Sequence, residues 1–255
     1  MSFLDHLEEL RRRLLHSILA LAVAFSVCWA YAKPIYNFLA RPILAALPPG
    51  KALVYTGLPD PFVLYMKVAL LAGIFLACPY VLWQLWLFVS PGLYAHERRL
   101  AVPFILFATL LFVAGGAFGY YVAFPMACKF FISVGSPFEP FITIKEYFRL
   151  QMQVLLWMGV VFEMPVLIYF LSRVGIVTPR FLWEKFSYAV FIIFVIAAII
   201  TPPDVVSQIL LALPMVGLYL IGIAVAWLFG ARPRPPADSP ADPPPPAEAG
   251  PPPDK

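Results

Sequence analysis

Six apolar runs dominate this chain, at 14–32, 62–89, 100–125, 150–171, 187–201 and 205–229. A membrane-crossing helix needs roughly 20 such residues to span about 30 Å of hydrocarbon. Backbone amides in lipid must be satisfied within their own segment, and runs this long and uniformly apolar do not alternate as barrel strands do. Each run therefore reads as a helix. The composition agrees, because 62% of residues are hydrophobic and only 13% charged, far from the balance of a soluble domain. The expected fold is an all-α membrane protein with six transmembrane helices.

The fifth run is short: about 15 apolar residues rise only about 22 Å, so a helix there thins the bilayer around it. Pro79, Pro165 and Pro214 lie inside other runs, where each frees a carbonyl and permits a kink. Bent helices can enclose a concave face. A constant register shift pairs Phe62 with Phe148, Met66 with Met152, Gly73 with Gly159 and Pro79 with Pro165. This is either an internal repeat of the kind common in transporters or a coincidence of an apolar alphabet. It sets Ala77 opposite Glu163.

Arg11, Arg12 and Arg13 precede a run that ends in Ala30, Tyr31 and Ala32, which imitates a cleavable signal peptide. Asp5, Glu8 and Glu9 are foreign to such a leader, so the run is read as a retained first helix. Lysine and arginine counted loop by loop favour a cytoplasmic N-terminus, because the short loop 90–99 carries Arg98 and Arg99 while the turn 201–204 carries neither residue type. Six spans then put both termini on the cytoplasmic side. Beyond Gly230 the chain is mostly Pro, Ala, Asp and Glu. The division expected is a six-helix membrane domain, 1–230, and a disordered Pro-rich cytoplasmic tail, 231–255.

Several function classes drop out. The net charge of +4, from 18 basic and 14 acidic residues, comes with no basic stripe interleaved with aromatics, so nucleic acid is not an expected partner. Cys28, Cys78 and Cys128 have neither CxxC spacing nor a neighbouring histidine, which supports neither disulfides nor zinc. No HExxH, GxSxG, GxGxxG or P-loop string occurs, so no enzyme activity and no cofactor is expected.

The polar residues that defy the apolar background are few. Glu163 sits deep in the fourth run, where an ionised carboxylate costs about 2.5–3.5 kcal/mol on insertion scales. Two readings stand: a protonated acid bonded to Gln151, Gln153 or a neighbouring helix, or a docking or coupling site facing a cavity. At the N-terminus, Leu4, Leu7, Leu10 and Leu14 have helical spacing, and Glu8 with Arg12 and Glu9 with Arg13 form i, i+4 pairs. Read alone, this is an amphipathic interfacial helix with surface ion pairs. His96, Glu97, Arg98 and Arg99 read alone as a solvated turn.

Five strings in order, His6 to Leu14, Leu47 to Gly50 with Pro48, Tyr94 to Arg99, Phe162 to Pro165 and Thr201 to Gln208 with Pro202, Pro203 and Asp204, resemble the TatC family over nearly all of residues 3–229. TatC proteins are the receptor subunits of twin-arginine protein translocases. The resemblance implies six helices bent into a cupped, glove-like shape with a short fifth helix. It implies export of folded proteins driven by the proton-motive force. It maps signal-peptide binding onto Glu9 and Glu97, supported by Arg11, Arg13, His96, Arg98 and Arg99, and a polar region that meets partner helices onto Glu163, Thr201, Asp204 and Gln208. Implied partners are TatA- and TatB-like single-helix proteins, precursors with twin-arginine signals, membrane lipid and further copies of the chain. The competing reading is a proton- or cation-coupled carrier of a small solute that uses Glu163.

Overall fold

A computed structural model describes residues 3–47, 53–89, 101–135, 137–138, 141–201 and 204–230. Its elements are helices: α1 Phe3–Ala30, α2 Ala32–Ala46, α3 Asp60–Val89, α4 Ala101–Phe118, a π-helical turn Gly119–Ala123, α5 Phe124–Val134, α6 Ile144–Phe162, α7 Met164–Arg173, α8 Pro179–Glu184, α9 Phe186–Ile200 and α10 Val205–Phe229. Five stretches are long and apolar enough to cross a membrane, and the 15-residue α9 is the shorter sixth. Spans three and four are each built from two helices, α4 with α5 and α6 with α7. The chain is a multi-pass membrane protein.

The ends of the helices sort onto two faces. His6 of α1 stacks on Phe88 of α3 at 4.5 Å, Trp86 meets Phe104 of α4 and Phe170 of α7, and Arg173 bonds to the Phe229 carbonyl of α10. These mark the N-terminal face. On the opposite face Val54 and Thr143 form a parallel bridge, with Val54 N donating to the Ile142 carbonyl and Ile144 N to the Val54 carbonyl. Thr143 then caps α6 by accepting from Glu146 N.

Helix pairs pack through small residues. A Cβ on Gly115 would collide with the Met158 carbonyl, and one on Gly73 would meet the Phe25 backbone at 3.0 Å. That is how α4 reaches α6 and α1 reaches α3, the most extensive pairings. Phe124, Phe148, Met158 and Met215 are fully buried in one core cluster. Leu110, Phe191, Ile199 and Leu213 point outward, as an apolar solvent outside requires.

Several boundaries differ from the sequence expectation: α1 begins at Phe3 rather than at residue 14, and the fourth span at Ile144 rather than at residue 150. The third span was expected to stop at Pro125, yet it continues to Val134. The turn before Pro125 is wound as a π-helix, and α5 takes the proline in its first turn, where a missing N–H costs least. Between the first two apolar runs the chain forms α2, despite Pro42 in its interior. Pro42 lacks the N–H that would engage the Phe38 carbonyl. Tyr120 from the π-helical turn supplies the missing donor at 2.6 Å, and Tyr147 and Gln151 of α6 donate to the Leu39 carbonyl at 3.2 and 2.7 Å. Pro48, Pro202, Pro203 and the tail 231–255 lie outside the described residues.

Candidate functional site

The first turns of α1 reverse the amphipathic expectation. Leu7, Leu10 and Leu14 point outward, whereas Glu9 and Arg13 turn toward α3, with side chains only 14% and 20% exposed. A helix entering lipid puts its leucines outside and its polar groups against protein, the inverse of a helix on a soluble surface. Arg13 Nη2 donates to Glu9 Oε1 at 3.3 Å, and Arg13 Nη1 donates to Gln84 Oε1 at 3.4 Å. Gln84 is 5% exposed. Its only signal in the sequence was an amide inside an apolar run.

These bonds are long for a charge-assisted pair, whose usual range is about 2.7–2.9 Å. A carboxylate held so loosely has lone pairs for a second guanidinium, and two guanidinium groups on one carboxylate is a geometry that its four lone-pair sites permit. Arg11 and Arg12 are exposed beside it. His96, Glu97, Arg98 and Arg99 lie outside the described residues. What the structure places is the last described turn before them, where Phe88 stacks on His6.

Glu163 occupies the break between α6 and α7, with φ −74° and ψ −13°. Its N–H donates back to the Val160 carbonyl at 3.1 Å, and its carbonyl accepts from Leu167 N at 2.9 Å. Pro165 follows in the first turn of α7, where it removes a donor and allows the axis to restart. Glu163 Oε1 is buried without a hydrogen-bond partner among the described residues. Gln151, expected as one partner for it, is instead fully buried on the Leu39 carbonyl. Twelve residues of helix separate the two by roughly 18 Å, too far for contact.

Thr201, Asp204 and Gln208 sit at the opposite face, away from the depth of Glu163. Thr201 Oγ1 donates to the Ala197 carbonyl at 2.8 Å and ends α9. Asp204 caps α10 by accepting from Ser207 N at 2.7 Å, as an N-cap aspartate does. Gln208 Nε2 donates to the Phe194 carbonyl at 3.0 Å and ties α10 to α9. The polar positions thus form three places: a cluster at the N-terminal face, a lone carboxylate at a helix break, and a capped turn on the far side.

A sequence profile described as "Sec-independent protein translocase protein (TatC)" matches residues 5–214. The chain belongs to the TatC family. It is 46% identical over 238 residues to the TatC protein of Koribacter versatilis, covering 92% of this chain and 88% of that one. It is 39% identical over 231 residues to that of Desulforapulum autotrophicum, covering 90% and 86%. A crystal structure described as the twin-arginine translocase receptor TatC superposes with a TM-score of 0.80 at 35% identity, covering 88% of this chain and 98% of that one. Membership places this chain among transport components rather than enzymes, and the small-solute carrier reading is not favoured.

Proposed function

We propose that this chain is the receptor and core subunit of a twin-arginine protein translocase, and that Glu9 and Glu97 bind the paired arginines of precursor signal peptides. The observation that carries the reading is the loosely paired Glu9 carboxylate at the N-terminal face in a family whose solved relative is described as the twin-arginine translocase receptor. Guanidinium is planar with five donors and suits bidentate recognition by carboxylate. Arg11, Arg13, His96, Arg98 and Arg99 belong to the same binding site in this reading. In this reading Pro48, Pro202 and Pro203 serve as structural loop residues.

In this reading both termini, and the tail 231–255, are cytoplasmic, and the membrane is the cytoplasmic (inner) membrane. Glu163, Thr201, Asp204 and Gln208 meet TatA- and TatB-like single-helix partners, further copies of the chain join the complex, and the proton-motive force drives export of folded proteins. The deciding experiment is photo-cross-linking of a twin-arginine precursor to the full chain, with a twin-lysine precursor as control. A cross-link lost with lysine supports the receptor role, and equal cross-linking of both rejects it. External labelling of a cysteine placed near Lys51, but not of a tag on the tail, is the expected topology. Labelling of the tail alone would remove one span.

A further inference from the structure

The outward face of α6 carries polar side chains where a bilayer is apolar. Lys145, Arg149, Gln153 and Trp157 recur every fourth residue, and all four are exposed, so they form one stripe along the helix. The opposite side of α6 is core, with Phe148, Gln151 and Met158 fully buried. The side chains of Lys145, Arg149 and Gln153 make no hydrogen bond or ion pair among the described residues. Glu146, the one acid in the same two turns, accepts from Thr143 Oγ1 at 3.2 Å. Depth follows from the length of the span. From Lys145 to Arg173 the chain rises roughly 42 Å at 1.5 Å per residue, which matches a bilayer with its headgroups, about 40–45 Å. Lys145 therefore lies at headgroup level on the Val54–Thr143 face, with Arg149 and Gln153 roughly 6 and 12 Å deeper. Arg149 is then at the border of the hydrocarbon and Gln153 inside it. Trp157 and Val160, 38% and 48% exposed, continue the stripe as apolar surface. An amide facing hydrocarbon is costly unless a polar group meets it, and no described residue meets this one.

We infer that this stripe holds one anionic phospholipid of the leaflet at the Val54–Thr143 face, its phosphate on Lys145 and Arg149, an ester carbonyl on the Gln153 amide and an acyl chain along Trp157 and Val160. Down the stripe come two cations, then a neutral donor, then apolar surface. A phospholipid presents its complements in the same order: an anion, ester carbonyls just beneath it, and hydrocarbon. Side chains on a helix lean toward its N-terminus, which here is the headgroup side, so the Arg149 guanidinium reaches the phosphate while its stem stays in hydrocarbon. A zwitterionic lipid offers the same esters but sets its own cation beside Lys145 and Arg149, so the anionic headgroup is preferred. A partner helix matches the stripe only with an acid at its end and a second polar group within its apolar run, whereas every anionic phospholipid carries both. A lipid gripped at these levels fixes the depth of α6, and with it the depth of Glu163 where that helix ends.

The test is native mass spectrometry of the full chain released from nanodiscs containing equal phosphatidylglycerol and phosphatidylcholine. The wild type keeps phosphatidylglycerol adducts in preference to phosphatidylcholine. Lys145→Gln combined with Arg149→Gln lowers the phosphatidylglycerol adduct at least about fivefold, the ratio that one cation near an anionic headgroup carries, and leaves phosphatidylcholine unchanged. Gln153→Leu removes the contact to the ester that both lipids share and lowers both adducts, by about fivefold for one hydrogen bond. Arg149→Lys, which keeps the charge, retains the preference and serves as the check that substitution at this position is tolerated. Equal retention of the two lipids in the wild type, or adducts indifferent to the double Gln variant, overturns the inference. So does a Gln153→Leu variant that loses cross-links to a single-span partner while keeping its phosphatidylglycerol, because the stripe is then a helix dock.

Discussion

Glu9 and Glu163 are both withdrawn from solvent, and the fold treats them in opposite ways. Glu9 has a cation one helical turn away, which in turn leans on Gln84 of a second helix. Glu163 has an oxygen with no partner among the described residues, at a place where two helices end and begin. The first carboxylate is charge-compensated and able to exchange one guanidinium for another. The second sits at a break in the backbone and has no ion pair among the described residues. Function at Glu9 should therefore follow charge, and function at Glu163 should follow hydrogen-bonding capacity.

The strongest way to break this comparison is charge reversal. Glu9→Lys sets a cation against Arg13 and against any arginine ligand, and like charges in contact cost several kcal/mol. Affinity for a fluorescent twin-arginine peptide, read by anisotropy, should fall by about 100-fold or more, and retention within threefold would remove Glu9 from the binding site. Neutralisation comes next. Glu9→Gln and Glu97→Gln each keep the shape and should cost about 1.5–3 kcal/mol of peptide binding. Arg13→Ala frees Glu9 and should leave affinity unchanged or improved, whereas a loss equal to that of Glu9→Gln would mean that the pair merely holds α1.

At Glu163 the expected effect is smaller and different in kind. Glu163→Ala should leave insertion and peptide affinity nearly normal while weakening cross-links to single-helix partners by about 0.6–2 kcal/mol, the range of polar contacts between membrane helices. Glu163→Gln can still donate and accept, so it should retain more transport than Ala. Should Gln be as inactive as Ala while partner cross-links persist in both, the requirement is the proton rather than the hydrogen bond. The smallest effect belongs to Gln84→Met, which removes an acceptor from Arg13. Denaturation in detergent should show about 0.5–1.5 kcal/mol of lost stability, with peptide affinity little changed; an affinity loss matching Glu9→Gln would make Gln84 part of the receptor surface.

The spans α3 and α6–α7, which the register shift pairs, show how far a sequence match reaches. Pro79 and Pro165 correspond in the register shift, yet α3 runs unbroken from Asp60 to Val89 while its counterpart breaks at Glu163. Proline alone does not decide between a kink and a break. Ala77, buried at the position matching Glu163, has no polar side chain to place, whereas the glutamate does. Thr201, Asp204 and Gln208 were legible as polar outliers, but their acceptor and donor partners were not, because Ala197, Ser207 and Phe194 contribute only backbone groups. Backbone partners leave no mark in a side-chain pattern.

By itself the sequence determined the class, the spans, the short α9 and the family strings. Hydrocarbon thickness and the need to satisfy every amide act on one segment at a time, so an apolar run and its length are enough to read them. Tertiary structure decided which side of α1 faces protein, with Leu14 outward and Arg13 on Gln84. It also decided that a segment containing Pro42 stays helical, because Tyr120, from a distant span, supplies the donor that proline lacks. Those outcomes depend on groups brought together only by packing, and the energy of a donor meeting a distant acceptor is not a property of either stretch of chain alone.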